Sequence, residues 1–512
     1  MILLQNGTVI DGSGQPARHA SVAIENGTIS SVGAVDPVPG AEVIDCSGLV
    51  VAPGFIDVHS HADLEAMQHR PEKVMQGVTT EVVGNCGFSV FPGLPEEDLV
   101  PTFGIFAARR GREWPDAATY FARLEEERSY PNVAALTGHS PLRAGVSGVK
   151  AGRLDAAEMR EAESRLATCL EQGSIGFSTG LNEAPGSFGD LDELTALCKV
   201  VVERGGFYTS HLRDYKFRIV EAVEEALELG RRTGVPVQIS HLQAVGYRNW
   251  DKIDAVLETI DRAHAEGIDV GIDAYPYLAG SCGLTQILPI WAMEGGTPAL
   301  LERLADAGTR AEIARQTEDN MSNRWEDILI ASVSNQELLE LNGRTVQQVA
   351  DDRGCSGVDA AIDLLRENDG DLMIISFNST EENLRKVLSH PLTSIITDGL
   401  MIEGKPHPRT FGTYPTWLGE YVRDKGWMPL EAAVHKATGQ PAARFRLERQ
   451  GLLQEGYTAN VVAFSAEEIG TRGDYVEPDQ VPDGISHVLV NGAWAVKEGE
   501  LQRQYSGRPV RT

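Results

Sequence analysis

Basic side chains are scarce in this 512-residue chain: 45 Lys and Arg stand against 74 Asp and Glu, a formal net charge of -29. A nucleic-acid partner needs a basic patch or stripe, so this balance argues against that class and leaves a small molecule as the expected partner. Long apolar runs are also missing. No stretch of about 18 apolar residues occurs, which excludes a membrane-spanning helix. The segment MILLQNGTVIDGSG has neither a basic leader nor a long apolar core, and its Asn-Gly and Asp-Gly pairs read as turns between short strands. Cysteine is confined to positions 46, 86, 169, 198, 282 and 355, with no C-x-x-C spacing. That speaks against a disulfide framework or a zinc finger and for reduced thiols in the cytoplasm. The phosphate-cradling loop G-x-x-x-x-G-K-[ST] is absent, which counts against nucleotide binding.

What is present is a globular composition, 42% hydrophobic, sufficient for one large α/β barrel and a smaller domain. Residues 1 to about 52 read as short strands, ILLQNGTVI, SVAIENGTISSVG and AEVIDCSGLVVAP, punctuated by Gly and Asn. GLLQEGYTANVVAFS and ISHVLVNGAWAVKEGE have the same character near the other end. The two sets are expected to pair into a small β-sandwich domain of residues 1–52 plus 445–512. Over residues 53–444, apolar strand-like runs alternate with helical segments such as DAAEMREAESRLATCLEQG and KFRIVEAVEEALELGRRTG. Eight strands are expected: GFIDVHSH, GVTTEVVGNC, NVAALTGH, SIGFSTG, GFYTSH, PVQISH, IDVGIDAY and TSIITDG. Eight such units predict a TIM (β/α)8 barrel. The interval of about 278–390 is too long for one connection and is expected to hold an insertion between strands 7 and 8, containing ILIASV and LMIISF, over the barrel mouth.

In GFIDVHSHADLEA, His59 and His61 follow an apolar run, with Asp57 and Asp63 close by. Side chains two apart on an extended chain share a side, so both imidazoles can meet one metal ion. Chemistry in a TIM barrel gathers at the C-terminal ends of its strands. Those ends carry His59 and His61, then Cys86, His139, His211, His241 and Asp398. Imidazole and thiolate suit a borderline-soft ion such as zinc, and a carboxylate completes the set.

The stretches PGFIDVHSHAD, EVVGNCGFS, TSHLRD, VQISHL, TDG followed by HPRTFGTYP, and EGYTANVVAF resemble the D-aminoacylase (N-acyl-D-amino-acid deacylase) branch of the amidohydrolase superfamily. The resemblance runs from NGTVIDGSG to VLVNG. It implies a tight zinc site of Cys86, His211 and His241, and a second, weaker metal position of His59, His61 and Asp398. It also implies that Asp398 carries the proton, and that Cys86 replaces the carboxylated lysine of other superfamily members. Physically, zinc lowers the pKa of water to about 7, and a carboxylate can take that proton and return it to a leaving nitrogen.

Around this core, Arg409 in HPRTFG is a candidate for a substrate carboxylate, with Tyr275 and Ser281 adding hydrogen bonds. His139 is a candidate for substrate contact or for a structural hydrogen bond. One departure concerns substrate: where the branch carries a lysine two residues after the strand-6 histidine, this chain has Gln243 in SHLQAVG. A neutral amide cannot form that ion pair, so either Arg409 suffices or the substrate lacks a carboxylate there. Asn460, where the branch usually has Asp, lies in the β region and is given no catalytic meaning. The reading is a zinc-dependent hydrolase of the linear amide of an N-acyl-D-amino acid or similar N-acyl compound. The alternatives are a cyclic-amide hydrolase of hydantoin or dihydroorotate type, a deacylase of a carboxylate-free substrate, and an inactive metal-binding scaffold. Oligomeric state is not readable from the sequence.

Overall fold

Val50–Pro53 and Val461–Phe464 are antiparallel neighbours, with Pro53 opposite Val461 and Val50 opposite Phe464. Around this joint, the computed structural model, which describes residues 1–94 and 114–511, builds a nine-stranded sheet. On one side of it lie Ile2–Val9, Arg18–Glu25 and Thr28–Gly33, and on the other Ile485–Val490, Ala493–Lys497 and Glu500–Leu501. The alternation of apolar residues in these strands places Leu4, Val22, Ile24, Val461 and Leu489 in a common core.

The eight expected barrel strands all form, as Phe55–Asp57, Val78–Val83, Asn132–Ala135, Gly176–Gly180, Phe207–His211, Val237–Ile239, Val270–Ala274 and Thr393–Ile395. Phe55–Asp57, Val78–Val83 and Asn132–Ala135 pair in parallel. Directly after Asn132–Ala135, the short strand Thr137–Gly138 continues the pairing in parallel through the remaining five in sequence order. The last returns to the first: Ser60 bridges Gly399 in parallel, and the Asp398 N–H donates to the His59 carbonyl at 2.8 Å. Buried Tyr414 clamps the same seam, its hydroxyl donating to the carbonyls of Ile56 and Ile395 at 3.0 and 3.2 Å. This is an α/β fold of the TIM-barrel type.

The intervening helices follow their sequence signals. Ala156–Glu171 begins at a capping box of Asp155 and Glu158, and Ile219–Thr233 ends at Gly234 in the left-handed conformation. Several strands are shorter than their apolar runs. His59 and His61 lie beyond Asp57, and His139 is the first residue of the helix His139–Ser147 and not a strand end. The two apolar runs expected within an insertion form strands that pair: Leu372–Phe377 lies between Ala279–Gly283 and Ile328–Val333, antiparallel to both. Helices Gly296–Ala305, Ala307–Asn320, Val346–Arg353 and Gly357–Glu367 accompany this sheet, with a core of their own that includes Leu300, Ile313, Val349 and Leu365.

Candidate metal centre

Beyond the C-terminal ends of the strands, six side chains of the types that can ligate a metal converge. The Nε2 atom of His59 lies 3.2 Å from Cys86 Sγ, which lies 3.4 Å from His241 Nε2. The His211 and His241 rings are 4.6 Å apart between centroids, and those of His59 and His241 5.0 Å. Asp398 Oδ1 lies 3.5 Å from His59 Nε2 and 3.2 Å from His61 Nε2. Three overlapping triads have their ligand atoms within 4.8 Å of one another: His59, His61 and Cys86; Cys86, His211 and His241; His59, His241 and Asp398. Cys86 belongs to two of them, so its sulfur stands between the two histidine pairs.

The backbone is bent to bring these groups inward. Cys86, His241 and Asp398 have φ of +53°, +33° and +47°, in the left-handed region that side-chain-bearing residues rarely adopt. Strain of this kind persists where the surroundings over-determine it, and it gathers at functional sites. The turn after Cys86 continues through Gly87, where a Cβ would meet the Gly180 nitrogen at 2.6 Å.

The electrostatics are those of a buried thiolate among imidazoles. Burial alone would raise the Cys86 thiol, but His59, His241 and His211 hold its pKa well below the usual value. For His59, burial opposes the charged form, and Cys86, Asp273 and Asp398 overcome it, lifting the pKa well above 6.5. Asp398 is likewise held well below the carboxylate range, burial being outweighed by Arg409, His59 and His61. Arg409 Nη1 stands 2.8 Å from Asp398 Oδ2, and the guanidinium lies over the Tyr275 ring at 4.5 Å. A metal suits this donor set. The Nε2 atom of His211 is buried with no hydrogen-bond partner, as a nitrogen ready to donate a lone pair would be.

Asp273 escaped the sequence reading. Its Oδ1 accepts from the His241 backbone N–H at 2.6 Å and lies 3.3 Å from His59 Nδ1, while Oδ2 accepts from Gln238 at 2.9 Å. It therefore holds the backbone of His241 and stands behind the His59 ring. The signal available was an aspartate within the apolar run VGIDA.

Two adjoining cavities, of about 160 and 470 Å³, open above the cluster. His211, His241, Asp398, Arg409 and Ser281 line both, His61 and Cys86 line the smaller, and Tyr275 and Gln243 line the larger. Gln243 Nε2 donates to the Tyr275 hydroxyl at 3.1 Å. His139 lines neither. It is fully buried, its Nε2 2.8 Å from Glu193 Oε1, and Glu193 also pairs with Arg143.

The amidohydrolase family pattern matches residues 42–168 and 287–496. The chain belongs to the amidohydrolase family, in its D-aminoacylase branch. This amidohydrolase is 35% identical over 494 residues to the N-acyl-D-glutamate deacylase of Alcaligenes xylosoxydans xylosoxydans, covering 96% of this chain and 92% of that relative. It is 34% identical over 514 residues to the D-aminoacylase of the same organism, covering 99% and 96%. The crystal structure of N-acyl-D-glutamate deacylase from Bordetella bronchiseptica, complexed with zinc and a phosphonate inhibitor that mimics the tetrahedral intermediate, superposes with a TM-score of 0.86 at 33% identity. That match covers 100% of this amidohydrolase and 99% of the other chain. Among the described residues, no helix of the amidohydrolase is long and apolar enough to cross a membrane.

Proposed function

We propose that this chain hydrolyses the linear amide bond of an N-acyl-D-amino acid or a similar small N-acyl compound, using zinc. The observation that carries the reading is the convergence of His59, His61, Cys86, His211, His241 and Asp398, all but His59 lining a cavity, in a chain 35% identical to a deacylase of N-acyl-D-glutamate. Cys86, His211 and His241 would hold one zinc tightly, and His59, His61 and Asp398 a second metal more weakly. When bound, zinc acts as a Lewis acid and makes water acidic enough to be deprotonated near neutral pH. The Asp398 carboxylate takes the proton of the attacking water and delivers it to the nitrogen that leaves. Arg409 keeps that carboxylate ionised and turned toward the cavity, and Asp273 places a second carboxylate beside His59 Nδ1. Tyr275, Ser281, Gln243 and Arg409 line the space in which the substrate is oriented.

The architecture we propose is a (β/α)8 barrel over 53–444, with an insertion of about 278–390, and a small β-sandwich domain of 1–52 plus 445–512. The pairing of Val50–Pro53 with Val461–Phe464 and the separate core of the insertion support it. Six cysteines without a disulfide support a cytoplasmic setting.

The test is hydrolysis of a panel of N-acetyl-D- and L-amino acids, their carboxamides and a hydantoin, by protein whose zinc content is measured alongside. Cleavage of the D-acids with about one zinc per chain is expected. Zinc-loaded protein that opens the hydantoin and cleaves no linear amide would overturn the reading.

A further inference from the structure

The larger cavity contains an unusual lysine. Among the described residues that line it, three carry a permanent positive charge: Arg213, Lys216 and Arg409. Arg213 is committed to Glu225 at 2.9 Å and to the carbonyls of Ser187 and Gly189. Arg409 is committed to Asp398. Lys216 follows the strand-5 histidine by five residues, and no carboxylate of a described residue lies within 4.0 Å of its ammonium. Its nearest acid in sequence, Asp214, instead accepts from the Lys216 backbone N–H. The side chain is half-buried, and burial lowers its ammonium below the ordinary lysine range. Among the described residues no carboxylate is in contact with this ammonium, and a cation half-withdrawn from water in that setting is suited to meet an anion in the cavity.

The same cavity is also lined by Gln243, where this branch carries a lysine, and Gln243 donates to the Tyr275 hydroxyl. We propose that Lys216 receives the carboxylate of the N-acyl amino acid substrate, so that the cation missing at position 243 is supplied from the loop after strand 5. This inference rests on the deacylase reading above. It makes the chain a deacylase of acids despite its neutral Gln243, with the carboxylate held in the cavity that Ser281 and Cys282 also line. Lys216 is a specificity residue and takes no part in proton transfer.

The test compares Lys216→Met, Lys216→Arg and Lys216→Met/Gln243→Lys with the parent on the best N-acetyl-amino acid of the panel and on its carboxamide. Lys216→Met is expected to lower kcat/KM for the acid on the order of 10- to 100-fold, the size of a lost charged hydrogen bond, chiefly through KM. Turnover of the neutral carboxamide and zinc content should stay within about twofold of the parent, which also reports that the variant is folded. Lys216→Arg should retain most of the preference for the acid, and Gln243→Lys should restore part of it to Lys216→Met. Equal loss on acid and carboxamide, or no loss on either, would overturn the proposal while leaving the deacylase reading intact. A parent that cleaves no linear amide at all would overturn both, and that result is read from the parent alone.

Discussion

Asp57→Asn changes almost no volume, yet it is expected to destabilise the protein by about 3 kcal/mol, near the lower figure for breaking a buried ion pair. Asp57 is fully buried behind His59, and both its oxygens are saturated with donors. Oδ1 accepts from the backbone N–H groups of His59 at 3.3 Å and Thr397 at 3.0 Å. Oδ2 accepts from the Thr397 hydroxyl at 2.6 Å and from the Lys73 ammonium. An amide turned either way therefore points its NH2 at two donors. With the NH2 at the Oδ2 position, Lys73 keeps, among the described residues within 4.0 Å, Glu81 at 3.5 Å as a carboxylate partner. Breaking a buried pair from one side costs about 3–5 kcal/mol, and the surviving Glu81 contact puts the expected loss at the lower end. The assay is urea unfolding at fixed zinc occupancy, since a bound ligand shifts apparent stability by mass action. Adding Lys73→Met removes the stranded ammonium, so the double variant should lose less than the sum of the two single ones. A loss below about 0.5 kcal/mol for Asp57→Asn, the size of an ordinary surface substitution, would refute the reasoning.

Asp398→Asn should retain the tight zinc and lose about 10²- to 10⁴-fold in kcat, measured beside metal analysis; unaltered turnover would remove the proton-carrying role. Cys86→Ala should lower zinc content and activity together, and a variant with full zinc would strike Cys86 from the ligands. Glu81, desolvated by burial and only partly compensated by Lys73, has its pKa raised from 4.5 to about 7. Between those values the folded chain holds a proton that the unfolded chain has released, so stability should fall as pH rises from about 4.5 to about 7. Glu81→Gln should flatten that decline in urea midpoints, and an unchanged slope would rule the group out as its source.

The eight barrel strands were legible because each is a short apolar run beside a helix with its own stop signal, as Gly234 is for Ile219–Thr233. The candidate ligands were legible for a related reason: His, Cys and Asp at successive strand ends are chemically conspicuous against apolar neighbours. Asp273 was not, because its work depends on the backbone of His241 on the neighbouring strand, a relation set by register and not by spacing. The contact of His139 with Glu193, 54 residues further along the chain, likewise carried no signal in the sequence. The strands Ile328–Val333 and Leu372–Phe377 were visible as apolar runs, but their partner Ala279–Gly283 is rich in small residues and announces no strand. That no carboxylate of a described residue contacts the Lys216 ammonium is legible only in the assembled cavity.

The antiparallel joint between Val50–Pro53 and Val461–Phe464 also governs the order of assembly during synthesis. About 400 residues separate the two strands, so at roughly 5–20 residues per second the first waits some 20 to 80 seconds for the second. Throughout that interval Val50–Pro53 presents an unmated apolar edge, a template on which another nascent chain could pair. Arrest of translation within the barrel would leave this edge permanently open. The charges crowded on the neighbouring segments, Asp36, Glu42 and Asp45 among them, lie where they would discourage such pairing until the distant strand arrives.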